Sequence, residues 1–137
     1  MSIKNKKNIL VEKAMLDLKS IPISNEDSIL KEALDLMCKY KLGVVCITDK
    51  NFKLMGIITD GDLRRKLLNS QKPLSALMVE DSIKLCIKKP KTIKPKTKLL
   101  NAIKTMEKAK IWDLPVIDKN KKLLGMLHLH NAIKFLK

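Results

Sequence analysis

The pattern of apolar and polar positions occurs twice along this chain. Displacing the sequence by 69 residues brings residues 21–68 onto residues 90–137 without a gap. The matched positions include apolar residues at helical spacing, since Leu30, Ala33 and Met37 fall on Leu99, Ala102 and Met106. Further along the chain, a polar turn and a glycine also match: Asp49-Lys50-Asn51 falls on Asp118-Lys119-Asn120, and Gly56 falls on Gly125. An ungapped match over 48 residues indicates an internal repeat.

Each copy predicts the same β-α-β-β-α unit. A strand precedes the first helix, which Ser28 or Thr97 is expected to cap. A short apolar strand, a polar hairpin turn and a return strand follow, and a second helix starts near Asp60 or near His130. The predicted strand pairs are Val44–Ile47 with Leu54–Ile58, and Leu114–Ile117 with Leu123–Leu127. One such unit buries too little apolar surface to be stable alone, so we expect the two copies to pack together in an α+β fold.

Two further short helices are expected to lead into the copies. Val11–Met15 and Leu74–Met78 look alike, and matching them makes the second lead-in longer by six residues, around 82–90. We therefore divide the chain into a basic lead at 1–10, a first repeat at 11–70 and a second repeat at 71–137.

The net charge of +15 raises the question of a polyanionic partner. Only Arg64 and Arg65 are arginines, aromatic residues make up 3% of the chain, and the lysines are spread over its length. Nucleic-acid binding favours arginine forks and stacking aromatics, so this composition argues against it. The surplus charge instead favours a small anionic ligand through long-range attraction.

The apolar runs, cysteines and histidines bear on membrane spans, disulfides and metal sites. No run approaches the roughly 20 apolar residues that span a bilayer, and we expect a cytoplasmic protein without a membrane partner. Cys38, Cys46 and Cys86 form no C-x-x-C pair, and we expect them to be reduced, buried side chains. His128 and His130 are two apart, so on a strand they would face one way, but two ligands do not make a metal site, and we predict none.

Several of these features together resemble the CBS domain family. The resemblance covers nearly the whole chain from about Val11 onward and rests on the helix with Glu32 and Met37 and on the sequence Gly-Ile-Ile-Thr-x-x-Asp at 56–62. It implies a tandem pair, or Bateman module, of two β-α-β-β-α repeats packed with pseudo-twofold symmetry around two clefts. Such a pair is regulatory and is not itself an enzyme.

A narrower resemblance is to the C-terminal CBS pair of arabinose-5-phosphate isomerases, which serve Kdo and capsule synthesis. It rests on Thr59–Arg65 in the first copy and on Leu114–Val116 and Gly125–His130 in the second. It implies a sugar-isomerase catalytic domain as partner, and a homodimer or a higher oligomer. The first copy's signature also resembles CBS pairs attached to sugar-nucleotide transferases.

Thr59 and Asp62 carry the sharpest local signal, for which two interpretations stay open. From spacing alone, Thr59 is a helix N-cap with an acid at the third helical position. In the family that this sequence resembles, the position of Thr59 contacts phosphate and that of Asp62 holds ribose hydroxyls. The second copy has His128 and Asn131 at these positions, which puts ribose binding there in doubt and points to a different anionic ligand.

The resemblance adds further candidate ligand contacts in both copies. The strand before the first helix of each copy uses backbone atoms against the ligand base, and residues of the central strand line the cleft. The positions concerned are Ile21, Pro22, Ile23 and Val44 in the first copy, and Lys91, Thr92, Leu114 and Pro115 in the second. Trp112 is expected either to wall a cleft or to lie in the core or an interface.

We therefore expect a CBS pair that binds an adenine nucleotide or a CMP-sugar, needs no cofactor, and controls a sugar-phosphate enzyme. The alternatives are an oligomerisation module with vestigial clefts and a CBS module of a sugar-nucleotide transferase. Nucleic-acid binding through the lysines is a third possibility, which raised salt would abolish steeply.

Overall fold

The computed structural model describes residues 8–136, so most of the predicted basic lead at 1–10 lies outside the described residues. In chain order the elements are α1 (Val11–Ala14), a 3₁₀ turn (Leu18–Ser20), β1 (Ile23–Asn25), α2 (Leu30–Tyr40), β2 (Val44–Thr48), β3 (Leu54–Thr59), α3 (Asp60–Asn69), α4 (Leu74–Met78), α5 (Ser82–Leu85), α6 (Leu99–Ala109), β4 (Asp113–Ile117), β5 (Leu123–His128) and α7 (Leu129–Lys134). The mixed helices and strands confirm the predicted α+β class. None of these helices is long and apolar enough to cross a membrane.

These elements form two compact units that do not follow the order of the chain. The central unit holds Ile21–Pro90, and the terminal unit combines residues 8–20 with residues 91–136. The predicted boundaries at 11–70 and 71–137 describe the repeat along the sequence. In space, residues 11–20 belong with the second copy and residues 71–90 with the first.

The central unit is built on a three-stranded sheet in the order β1-β2-β3. β1 is parallel to β2 and β3 is antiparallel to it. All five residues of β2 are buried, as expected for the middle strand of a covered sheet. Apolar residues of α2 at helical spacing pack with β2, β3 and the segment 77–86 in one core, formed by Leu30, Ala33, Met37, Val45, Ile47, Ile58, Leu77 and Cys86.

The terminal unit repeats this plan around the antiparallel pair β4-β5. Its core joins α1 to the second copy, since Val11 and Ala14 lie in one cluster with Leu99, Met106 and Leu127. The expected strand before the first helix is reduced here to a single parallel bridge between Ile93 and Val116. Lys91 and Thr92 form no strand, so that prediction was wrong for the second copy. In the first copy it holds only in part, since Ile21 and Pro22 precede the strand, which begins at Ile23.

A proline explains the missing strand. In the central unit the amide of Cys46 donates a hydrogen bond of 3.0 Å to the carbonyl oxygen of Pro22. The equivalent of Cys46 in the terminal unit is Pro115, which has no amide hydrogen to donate to Lys91. The ladder therefore begins only where Ile93 donates to the carbonyl oxygen of Pro115, at 3.0 Å.

The lead-in helices correspond differently from the sequence prediction. Leu10 bridges to Lys98 just before α1, and Ile29 bridges to Asp81 just before α5. The counterpart of α1 is therefore α5, and matching Val11–Met15 to Leu74–Met78 was wrong. With this correction the second lead-in is not six residues longer than the first, and α4 is an additional helix ahead of it.

The starts of α2 and α6 also differ from prediction. Their N-caps are Ile29 and Lys98, neither of which makes a side-chain capping bond, so Ser28 and Thr97 do not cap them. The first helical amides are satisfied by the chain ahead of the lead-in helices. Leu30 donates to the carbonyl oxygen of Glu80 at 2.9 Å, and Leu99 donates to that of Ile9 at 2.8 Å.

Gly56 and Gly125 each leave room for the backbone that follows one of the lead-in helices. Leu16 and Met126 exchange backbone hydrogen bonds of 2.8 and 3.0 Å, and Ile57 and Ile87 do so at 3.1 and 2.8 Å. A Cβ on Gly125 would lie 2.4 Å from the carbonyl oxygen of Leu16, and one on Gly56 would lie 2.5 Å from that of Ile87. Any side chain at either position would therefore push this pairing apart.

We predict that Gly125→Ala lowers the free energy of unfolding by about 1–3 kcal/mol, because the obstructing atom is backbone and cannot rotate away. Gly61→Ala is the matched control. Its Cβ would meet only the Arg65 side chain, at 3.4 Å, and alanine in a helix gains up to about 1 kcal/mol over glycine. Urea unfolding measures both changes, and an unchanged midpoint for Gly125→Ala would contradict the prediction.

The hairpin turns are held by aspartates. Asp118 Oδ1 accepts hydrogen bonds from the amides of Asn120 and Lys122 at 2.8 and 2.9 Å. Asp49 Oδ1 does the same for Asn51 and Lys53, also at 2.8 and 2.9 Å. The Lys122 amide bond, followed by that from Asn120, holds the pKa of Asp118 below its ordinary value.

Because its folded pKa is lowered, Asp118 stabilises the fold above the ordinary aspartate pKa, and this contribution is lost as pH falls through the lowered value. We predict that Asp118→Asn is less stable than the parent at neutral pH and that the difference narrows on acidification. Thermal melts across the acid range measure this. A difference that is constant with pH would show that the ionised form contributes nothing.

Candidate functional site

The six candidate residues of the first copy meet at one end of the central sheet. β1 and β2 begin at this end, and β3 finishes there. Val44 is paired with Thr59 across the ladder, and Asp62 follows in the first turn of α3. Ile21, Pro22 and Val44 are buried, whereas Ile23, Thr59 and Asp62 are half-buried. Accessible polar groups at this end of the sheet therefore belong mainly to the junction between β3 and α3.

Thr59 and Asp62 form a capped helix start. Thr59 is the N-cap of α3, and its Oγ1 accepts a hydrogen bond of 3.2 Å from the Asp62 amide. The same hydroxyl donates to Asp62 Oδ2 at 3.1 Å, and Arg65 donates from Nη2 to Asp62 Oδ1 at 2.8 Å. The capping interpretation of the sequence therefore describes this structure. It leaves a carboxylate and a hydroxyl close together at the positive end of a ten-residue helix.

The start of α3 is bonded to the residue just before β2. The Asp60 amide donates to the carbonyl oxygen of Gly43 at 3.0 Å. A Cβ on Gly43 would lie 2.6 Å from Asp60 Oδ2. The terminal unit has Trp112 and Leu129 at these positions and keeps the backbone bond, at 2.8 Å. The main chain of the junction is therefore the same in both units, while its side chains differ.

In the terminal unit the bonded side chains at the junction are a histidine and an aspartate. His128 ends β5 and is the N-cap of α7, but it makes no capping bond. Its Nδ1 lies 2.8 Å from Asp113 Oδ1, on the residue paired with it across the ladder. Because an ionised carboxylate only accepts hydrogen bonds, Nδ1 carries the proton, and Nε2 of a neutral ring is left as an acceptor.

Asp113 is the site residue that the sequence interpretation missed. It occupies the position of Val44, so the carboxylate lies on the strand in this unit and on the helix in the central unit. A bulge between Val116 and Ile117 shifts the register by one residue. Counting back from the turn without that bulge would pair Asp113 with Leu127 and would hide its contact with His128.

The other candidates of the second copy differ in their exposure to solvent. Leu114 and Pro115 are buried in β4, and Asn131 is half-buried in the first turn of α7. Lys91 and Thr92 are exposed and lie outside any strand. Trp112 is 69% exposed, so it does not lie in the core.

His128 and His130 do not share one face of a strand. β5 ends at His128, and His130 lies in α7. Within residues 8–136, no group of three or more histidine, cysteine, aspartate or glutamate side chains is arranged to hold a metal ion.

The cysteines agree only partly with expectation. Cys46 and Cys86 are buried, but Cys38 is exposed, contrary to the prediction that all three are buried. Burial is the largest cause of a raised pKa for the Cys86 thiol, against which the charge of Lys88 acts. The buried thiol is therefore held in its neutral form and packs as an apolar side chain.

Comparison with known proteins gives the family. The family model described as CBS domain matches twice, at residues 13–69 and 79–137. The chain is 37% identical over 109 residues to inosine-5'-monophosphate dehydrogenase of Aquifex aeolicus, covering 79% of this chain and 21% of that protein. It is 35% identical over 129 residues to arabinose 5-phosphate isomerase KdsD of Francisella tularensis, covering 90% of this chain and 36% of that protein.

A solved structure agrees with these matches. The crystal structure of CBSX2 in complex with AMP superimposes with a TM-score of 0.80 at 25% identity, covering 92% of this chain and 94% of that one. The chain spans only 33% to 39% of the length of the first curated relatives that it matches.

We predict that neutral His128 is the Nδ1–H tautomer and that Asp113→Val releases it, because the valine of the central unit offers no acceptor. Long-range ¹⁵N–¹H NMR of the imidazole rings distinguishes the two tautomers. Exposed His130, in the same spectrum, is the internal control and should not change. An Nε2–H tautomer for His128 in the parent protein would contradict the assigned pair.

Proposed function

Because the chain belongs to the CBS domain family and carries two copies of the domain, we propose that it is a regulatory module that binds an adenine nucleotide or a nucleotide-sugar. Binding would change the activity of an enzyme domain by favouring one of its states. The observation that carries this proposal is the junction of β3 and α3, where Thr59 and Asp62 lie within hydrogen-bonding distance of each other.

The chemistry of this junction fits a nucleotide. The dipole of α3 favours negative charge, such as that of a phosphate group, near the start of the helix. The Thr59 hydroxyl donates its one proton to Asp62 and so holds the carboxylate. The Asp62 carboxylate accepts hydrogen bonds from hydroxyl groups, as a ribose requires. Binding of AMP by CBSX2, whose fold this chain shares, supports the choice of an adenine nucleotide.

The two units are proposed to differ in ligand. The first turn of α7 contains no acidic residue, and Asn131 replaces the carboxylate of Asp62. The carboxylate of Asp113 is bonded to His128 and lies on the strand side of the junction. The proposed nucleotide therefore binds in the central unit, one per chain, and the terminal unit takes a different anion or none.

The proposed partner is a sugar-phosphate enzyme, with an arabinose-5-phosphate isomerase domain as the first choice. Identity to the Francisella enzyme over 90% of this chain supports it, together with the residues of the narrower resemblance. The similar identity to a dehydrogenase means that a CBS pair alone does not specify its catalytic partner, and a sugar-nucleotide transferase is the alternative.

We predict that AMP binds the chain with a stoichiometry near one. Asp62→Ala should weaken binding at least about tenfold, because it removes a hydrogen bond between the ligand and a charged group. Calorimetry with AMP, ADP, ATP and CMP-Kdo measures this. Asn131→Ala is the matched control in the terminal unit and should leave the affinity unchanged. Absence of heat with all four ligands would overturn the ligand-sensing proposal.

Oligomerisation is a second candidate function, favoured by exposed apolar residues near α3 and α4. Leu68, Leu74 and Val79 are 79%, 55% and 65% exposed. Apolar surface of this kind is typical of contacts between proteins when it is grouped. A module acting only in this way would form the same oligomer after Asp62→Ala, with no ligand affinity to lose. Light scattering combined with the calorimetry above separates the two functions.

A further inference from the structure

Arg65 holds the carboxylate at the proposed nucleotide site. It lies one turn after Asp62 on α3 and donates from Nη2 to Asp62 Oδ1 at 2.8 Å. The Thr59 hydroxyl donates to the other oxygen, Oδ2, at 3.1 Å. The Asp62 side chain is only 17% exposed, whereas that of Arg65 is 62% exposed. The carboxylate is therefore fixed by donors on both sides, one of them reaching in from the surface.

This arrangement leaves the carboxylate able to bind a ligand. Each carboxylate oxygen has two lone pairs, and the two hydrogen bonds use one lone pair on each oxygen. The remaining lone pairs lie in a plane whose orientation Arg65 and Thr59 set. Two neighbouring hydroxyl groups, as on a ribose, can donate to both oxygens at once without displacing either residue. A fixed carboxylate also loses less rotational freedom on binding than a free one.

The chain itself offers two comparisons for Arg65. Arg64 has the same charge and is exposed beside it, but no ion pair joins it to Asp62 within residues 8–136. In the terminal unit the equivalent of Arg65 is Lys134, and it follows Asn131, which has no charge to pair with. The arginine and the carboxylate thus occur together in the central unit, and neither occurs at the equivalent position of the terminal unit.

We propose that Arg65 is a positioning residue that orients Asp62 for a vicinal diol and so makes the central unit selective for ribonucleotides over deoxyribonucleotides. The proposal rests on the proposed function of this site. It differs from a general attraction between Arg65 and phosphate, which would act equally on both kinds of nucleotide.

The test compares the affinities of AMP and 2′-deoxy-AMP for the parent chain and for Arg65→Gln, Arg65→Lys and Arg64→Gln. Arg65→Gln is expected to weaken AMP binding roughly tenfold and 2′-deoxy-AMP binding less than about twofold, because the deoxy sugar makes one bond fewer to Asp62. Arg65→Lys, which keeps a cationic donor but lacks the planar guanidinium, should retain part of the discrimination. Arg64→Gln should leave the ratio of the two affinities unchanged.

Three results would overturn the proposal. Equal losses for both nucleotides in Arg65→Gln would mean that Arg65 acts through its charge on the phosphate. A gain in AMP affinity would mean that Arg65 competes with the ligand for Asp62. A parent chain that binds neither nucleotide would overturn the proposed function and this assignment together, and is recognised before any variant is made. Thermal melts of each variant show that the fold is retained.

Discussion

The backbone pairing across Gly56 and Gly125 is the constraint on which the two units depend. Each return strand exchanges two hydrogen bonds with the chain that follows a one-turn helix, and this contact is possible only because the strand has no side chain there. In the terminal unit the pairing brings Leu16 to Met126, so residues from the two ends of the described chain complete one core. The segment ahead of the first copy is therefore part of the core of the terminal unit.

The same backbone plan gives the two junctions different chemistry. A strand ends, a helix begins, and the residue at the boundary is bonded to a carboxylate in both units. In the central unit that carboxylate stands in the first turn of the helix, at the positive end of the helix dipole. In the terminal unit it stands on the strand and is bonded to a histidine ring. The main chain of the junction is therefore the same in both units, and a few side chains determine its polar groups.

Sequence reasoning predicted the parts of the fold that long patterns specify. The 11-residue helices α2 and α6 have apolar faces of several turns, and the aspartate turns recur with the same spacing, so both were found. One-turn helices have no periodicity to find, and Val11–Met15 was matched to Leu74–Met78 on composition alone, although the counterpart lies at Ser82–Leu85. The contact between Asp113 and His128 was hidden because a single bulged residue changes which side chains face each other.

The two repeats also differ in the hydrogen-bonding groups that they present at the junction, because the carboxylate lies at a different position in each. An asparagine at position 131 offers one acceptor oxygen and a donor group, so it cannot accept from two neighbouring hydroxyls through both of its terminal atoms. Asp113 can accept hydrogen bonds, but its bond to His128 turns one oxygen toward the ring, and no arginine is found at the position of Arg65. Within residues 8–136, a carboxylate held by both a threonine and an arginine at this junction is therefore a feature of the central unit alone. In the terminal unit the Nε2 atom of a neutral His128 ring is left as a hydrogen-bond acceptor, so the side chains of this junction differ in chemistry from those of the central unit.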